Sequence, residues 1–180
     1  MKSAGDESSY HPAAPRGDVL VIGYGNTLRR DDAAGPRAAT AVASWNLPGV
    51  TVKVVHQLTP ELAEFLARVS LAVFIDARFA AEGGRVEARP IETSDPGPIT
   101  ALGHVTAPRH LLALTMTVYG ACARSSIYTV PAADFRFGEG LSPVAERGVE
   151  EVLRLLASRL GGPSPRGSVL LASHTDPERI

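Results

Sequence analysis

Two continuous apolar runs constrain the fold of this chain most. "DVLVIGY" (18–24) and "LAVFIDA" (71–77) show no polar alternation, as expected of strands buried on both faces. Such strands need helices above and below them, and the rest of the sequence supplies these. "AATAVASWNL" (38–47) reads as a helix, with Pro36 tolerated in its first turn. "VTVKVVH" (50–56) reads as a second strand. Thr59 is expected to cap a helix with Pro60 at its first position, and Leu62, Phe65, Leu66 and Val69 fall on one face of it. "EGGRVEARPI" (82–91) reads as a turn and a polar, alternating edge strand, expected to run antiparallel. An apolar helix over Ala107–Tyr119 follows, then the strand "SSIYTVPA" (125–132). A long helix starts at Ser142–Pro143, with Val149, Val152, Leu153, Leu156 and Leu160 on one stripe. This alternation predicts an α/β fold: a three-layer αβα sandwich with a twisted, mainly parallel, mixed sheet of about five strands.

The ends of the chain differ in character. Residues 1–16 are polar and Pro-rich and are expected to form a disordered leader. Residues 17–160 form the expected single domain, and 161–180, opening on Gly, Pro and Ser, a flexible tail. The 180 residues suit one domain with a substantial core. A net charge of −1 gives no bulk attraction to nucleic acid or anionic lipid. The longest mostly apolar stretch, "HLLALTMTVYGACA" (110–123), is too short to span a bilayer. The single cysteine, Cys122, rules out an internal disulfide and a Cys-rich zinc site. It suits a reducing, cytoplasmic setting.

Sheets of this kind bind ligands at the carboxyl ends of their strands. Asn26, Asp31 and Asp32 follow the first strand, His56 and Gln57 the second; Asp76 ends the third, and His104 lies between a strand and a helix. The stretch "VIGYGNTLRRDDAAG" (21–35) starts like a dinucleotide-binding turn. Gly23 and Gly25 match its first two glycines, but Leu28 stands where the third belongs, and two aspartates occupy the place of the phosphate. Those charges would repel a pyrophosphate. No Walker loop, nucleophile elbow or H-E-x-x-H signature occurs.

One aspartate of the pair Asp31–Asp32 could serve as a helix cap, but two exceed what a cap needs. Asp76 closes a run expected to be buried, where an unpaired charge is costly unless it caps a loop or faces a site. A carboxylate from each of two strand ends plus an imidazole makes an O,O,N set suited to nickel or zinc. On residue chemistry alone, His56 and His110 compete with His104 for the third place.

"GYGNTLRRDDAAG" resembles the amino-terminal G-x-G-N-x-L-x-x-D-[DE]-G-x-G signature of the hydrogenase maturation proteases. The resemblance continues through "HQLTPELAEFLARVSLAVFIDA", "GHVTAPRHLLALT" and "YTVPAADFRFGEGLSP", roughly from Val19 to Leu160. It implies an endopeptidase that removes the C-terminal extension of a [NiFe] hydrogenase large-subunit precursor once nickel is inserted. The nickel is then recognised in the substrate rather than held as a resident cofactor. By motif position the resemblance places nickel-binding and catalytic roles on Asp32, Asp76 and His104. Gly25, Asn26 and Asp31 would support them: the first two by shaping the turn, Asp31 by capping the helix or orienting Asp32. The partner implied is the precursor large subunit, with no nucleic acid and no membrane. The alternative from another class is a non-catalytic nickel-binding chaperone that docks on the same subunit. Ala33 stands where the family usually has glycine, and Asp32 where many members have glutamate.

Overall fold

The computed structural model describes residues 18–80, 84–91 and 107–163. The expected leader and nearly all of the expected tail lie outside them. The elements run in the order β1 (Val19–Tyr24), a 3-10 turn (Arg30–Ala33), α1 (Ala34–Ser44), β2 (Val50–Val55), α2 (Leu62–Arg68), β3 (Leu71–Phe79), β4 (Glu87–Ile91), α3 (Pro108–Tyr119), β5 (Arg124–Ala132) and α4 (Pro143–Leu160). The strands form one five-stranded sheet in the order β2-β1-β3-β5-β4. All pairings are parallel except that of β4 with β5, as the polar alternation of β4 predicts.

Alternate residues of each apolar run go to opposite layers. Val19 and Val21 of β1 and Leu71, Val73 and Ile75 of β3 pack with α1 and α4 in one buried cluster. Leu20 and Ile22 of β1 and Ala72 and Phe74 of β3 pack with α2 and α3 in the other. These are the two interfaces of a three-layer αβα sandwich. Phe74, Leu20 and Ile22 are fully buried, each worth about 1.5–3 kcal/mol relative to exposure.

The boundaries differ from the sequence reading in three places. Helix α1 begins at Ala34 and ends at Ser44, because the 3-10 turn ahead of it winds the chain into helical geometry before Pro36. Helix α2 begins at Leu62 with no side-chain cap. Backbone N–H groups of Leu62 and Ala63 instead bond the carbonyls of Thr59 and Pro60, so Thr59 opens a turn rather than capping. Val69 lies past the helix in extended conformation, although it still packs against the α2–α3 cluster. Strand β3 runs three residues beyond Asp76, because β5 continues far enough to pair Ala77–Phe79 with Val130–Ala132.

Helix α1 sits unusually close to the sheet. A Cβ at Gly23 would collide with the Gly35 carbonyl and with Ala39, and one at Gly35 would lie 2.5 Å from the Ile75 carbonyl oxygen. The close helix–strand approach that a dinucleotide fold builds with its third glycine is made here by Gly35, which leaves position 28 free for leucine. At the far end of α4, Gly161 takes the left-handed conformation that ends a helix. Gly162 then packs so closely on the Trp45 ring that a Cβ would overlap it.

Candidate functional site

The strand order reverses between β1 and β3: from β1 the chain moves out to β2 and returns past it to β3. A parallel sheet opens a crevice at the carboxyl ends of the strands at such a reversal. Asp32 and Asp76 come to this place, one from the turn after β1, the other from β3.

The turn is shaped by two backbone features. Gly25 has φ +143°, and a Cβ there would collide with the Asp32 carbonyl oxygen, so only glycine lets the turn fold back on itself. The Asn26 N–H donates to Asp32 Oδ2 at 2.8 Å, and the Asn26 side chain accepts from the Leu28 N–H at 2.9 Å. Ala33 has ordinary right-handed geometry, φ −74°, so this position does not require glycine.

Asp76 is half-buried, and its carboxylate is fixed by two donors. The Tyr24 hydroxyl donates to Oδ2 at 2.9 Å, and the Ala77 N–H to Oδ1 at 2.9 Å. Burial pushes the Asp76 carboxyl above the usual range; the two hydrogen bonds pull against this, and the nearby charge of Asp32 adds to it. Burial likewise pushes the Tyr24 phenol upward, and the charge and hydrogen bond of Asp76 reinforce the effect.

Asp31 does something else. It is fully buried, and its carboxylate accepts from the N–H groups of Ala133 (2.7 Å), Asp134 (2.9 Å) and Ser142 (2.6 Å) and from the Ser142 hydroxyl (2.7 Å). These bonds go to the β5–α4 loop, not to its own helix and not to Asp32. The Ser142 hydroxyl in turn accepts from the Ala145 N–H and caps α4. Burial works to raise the Asp31 carboxyl, but the four hydrogen bonds outweigh it and hold it below the usual range.

The same loop is zipped to the β1–α1 turn by main-chain bonds, from Gly138 N–H to the Leu28 carbonyl and from Arg30 N–H to the Gly138 carbonyl, both at 3.0 Å. Arg30 has φ +44°, a left-handed conformation that costs a non-glycine residue about 1–2 kcal/mol. It is held there by this backbone bond and by Asp134, 3.5 Å from its guanidinium. At the same end of the sheet an open groove of ≈ 520 Å³ is lined by Arg29, Phe79, Ala133, Asp134, Phe135 and Arg136. Phe79 and Phe137 are 69% and 76% exposed, and the Arg29 guanidinium lies 5.6 Å from the Phe137 ring centre.

Of the other residues raised by the sequence, His56 and Gln57 are exposed past β2. His110 lies inside α3, where its Nε2 accepts from Arg109 at 3.3 Å. His104 lies outside the described residues. Among the described residues no three His, Cys, Asp or Glu side chains converge as a metal cluster, so the described part of the site is the pair Asp32–Asp76. Their chemistry fits a cation. Among the described residues each Asp76 oxygen has one donor, which uses one of its two lone pairs. Asp32 has a single described donor, on Oδ2. A positive ion would also relieve the repulsion between the two carboxylates.

Sequence reading missed Tyr24. The signal was present: parallel pairing places Gly23 opposite Ile75, so the next residues, Tyr24 and Asp76, share a register and a face.

No protein-family model and no curated protein matches this chain. Solved structures do. The hydrogenase maturating endopeptidase HybD from E. coli superposes with a TM-score of 0.62 at 20% identity, covering 80% of this chain and 92% of the other. The [NiFe] hydrogenase maturation protease HycI from Thermococcus kodakarensis gives 0.62 at 19%, covering 81% and 93%. The hydrogenase 2 maturation peptidase from Thaumarchaeota archaeon SCGC_AB-539-E09 gives 0.59 at 22%, covering 80% and 98%. The chain thus has the fold of the hydrogenase maturation proteases.

Proposed function

We propose that this chain is an endopeptidase that removes the C-terminal extension of a [NiFe] hydrogenase large-subunit precursor after nickel has been inserted. One observation carries the reading: two carboxylates, Asp32 and Asp76, are brought near one another at the switch point of a sheet that has the maturation-protease fold. The nickel belongs to the substrate. Asp32 and Asp76, joined by His104 from the stretch "GHVTAPRHLLALT" of the resemblance, would grip it, and cleavage would follow only when it is there. Asp32 stands in the place of a phosphate because the ligand is a cation, whereas Asp31 beside it is taken up by the β5–α4 loop.

The chain's own residues supply the rest. Burial holds the Asp76 carboxyl above the usual range, and a cation in the crevice would favour its charged form. The groove beside the β5–α4 loop, with Phe79 and Arg29 on its wall, offers an extended polypeptide both apolar contact and hydrogen-bond donors. No described helix is long and apolar enough to cross a membrane.

The test is intact-mass analysis of nickel-loaded and nickel-free precursor, before and after incubation with the protein. Loss of a defined C-terminal peptide from the loaded sample alone is the expected result. A stable complex without cleavage would replace the protease with a docking chaperone, and the absence of both cleavage and complex would overturn the reading altogether.

A further inference from the structure

We propose that Tyr24 is the positioning residue of Asp76: its hydroxyl fixes the rotation of that carboxylate so that the free lone pairs of both oxygens are presented to a cation in the crevice. This rests on the metal-gripping role proposed above for Asp32 and Asp76, and adds a residue to which the signature gives no role.

Tyr24 is the last residue of β1. Its register places it beside Asp76 on the neighbouring parallel strand, and its ring packs against the α2–α3 cluster. Phenylalanine would fill that apolar position equally well. The one described partner of the phenol is Asp76 Oδ2, at 2.9 Å, across 52 residues of sequence. The Ala77 N–H holds the other oxygen from within the strand. A carboxylate held at one oxygen can still swing about its Cβ–Cγ bond, whereas one held at both cannot. Of about four lone-pair sites, the described donors use two, one on each oxygen. The arrangement matches the way neighbouring hydrogen bonds orient a metal-binding carboxylate and tune its affinity.

The variant is Tyr24→Phe, which keeps the ring and removes one oxygen. The probe is cobalt(II) titrated into the full chain, followed by its visible absorption and by calorimetry, with Asp32→Asn as a control for the site and thermal melting as a control for the fold. The expected result is saturable cobalt binding by the wild type, loss of it in Asp32→Asn, and a Kd weakened about 10–100-fold in folded Tyr24→Phe, with an altered absorption envelope. Equal Kd and equal spectra in wild type and Tyr24→Phe would overturn the positioning role and leave the metal site standing. No saturable binding by the wild type, or unchanged binding in Asp32→Asn, would overturn the presentation of Asp76 to a cation in the free protein, and the role of Tyr24 with it, while the mass assay above decides the protease reading separately.

Discussion

Asp31 and Asp76 are the same residue type in the same crevice region, and the protein treats them in opposite ways. Asp31 is fully buried and receives four hydrogen bonds. Asp76 is half-buried, receives two from the described residues, and feels the charge of a second carboxylate, Asp32. The first carboxyl is shifted down, the second up. A buried charge saturated with donors is a structural joint. A buried charge left short of donors, next to another of its own sign, is held in readiness for a ligand. The contrast separates scaffold from site without reference to any relative.

Exchanging the two roles by mutation tests the contrast, and the largest effect falls on activity. Asp32→Ala and Asp76→Ala are expected to abolish precursor processing in the mass assay while keeping a cooperative urea transition, with the midpoint of Asp76→Ala lowered slightly because the Tyr24 hydroxyl loses its described partner. Unfolding of either variant would place these residues in the scaffold. Asp31→Ala should do the reverse to the fold. It strands three backbone N–H groups and a hydroxyl, and is expected to cost about 3 kcal/mol or more in urea denaturation. A loss under about 1 kcal/mol would show that water replaces the carboxylate, and the joint would be dispensable.

The pH dependence sharpens the same comparison. The folded-state value of Asp31 is depressed, so its stabilisation is complete above the unfolded value of about 3.9 and is lost as pH falls through the folded value. Asp76 is raised, so the folded state holds its proton longer than the unfolded state and stability falls as pH rises from about 4 through the raised value. Asp76→Asn is therefore expected to be at least as stable as wild type at pH 7, and to lose that advantage near pH 3. A variant less stable than wild type at pH 7 would show that the Asp76 charge is well compensated. The smallest effect belongs to Arg136, 81% exposed and paired with Asp134 at 2.7 Å. Arg136→Ala should leave the urea midpoint unchanged, because exposed pairs are screened by solvent.

The fold was readable because burial on two faces leaves a plain mark: "VLVIGY" and "LAVFID" have no polar alternation, and β4 has it. The position of Asp76 was readable because a charge interrupts such a run. Helix starts were harder. Thr59 and Pro60 have the composition of a cap, but the backbone closes a turn there instead, and composition does not distinguish the two. The role of Asp31 was hidden because its partners lie more than 100 residues away. Adjacent aspartates in a sequence carry no label saying which one turns inward. Tyr24 was overlooked because aromatic residues at strand ends usually pack, and only the register to β3 reveals what its hydroxyl meets.

The four bonds to Asp31 have a consequence that can be followed in time. Three amide hydrogens, on Ala133, Asp134 and Ser142, end on one carboxylate. A fluctuation that withdraws this group exposes all three to solvent together and also uncaps α4. In hydrogen-exchange experiments these amides should form one cooperative opening unit. Its rate measures how often the turn that presents Asp32 parts from the loop that lines the groove.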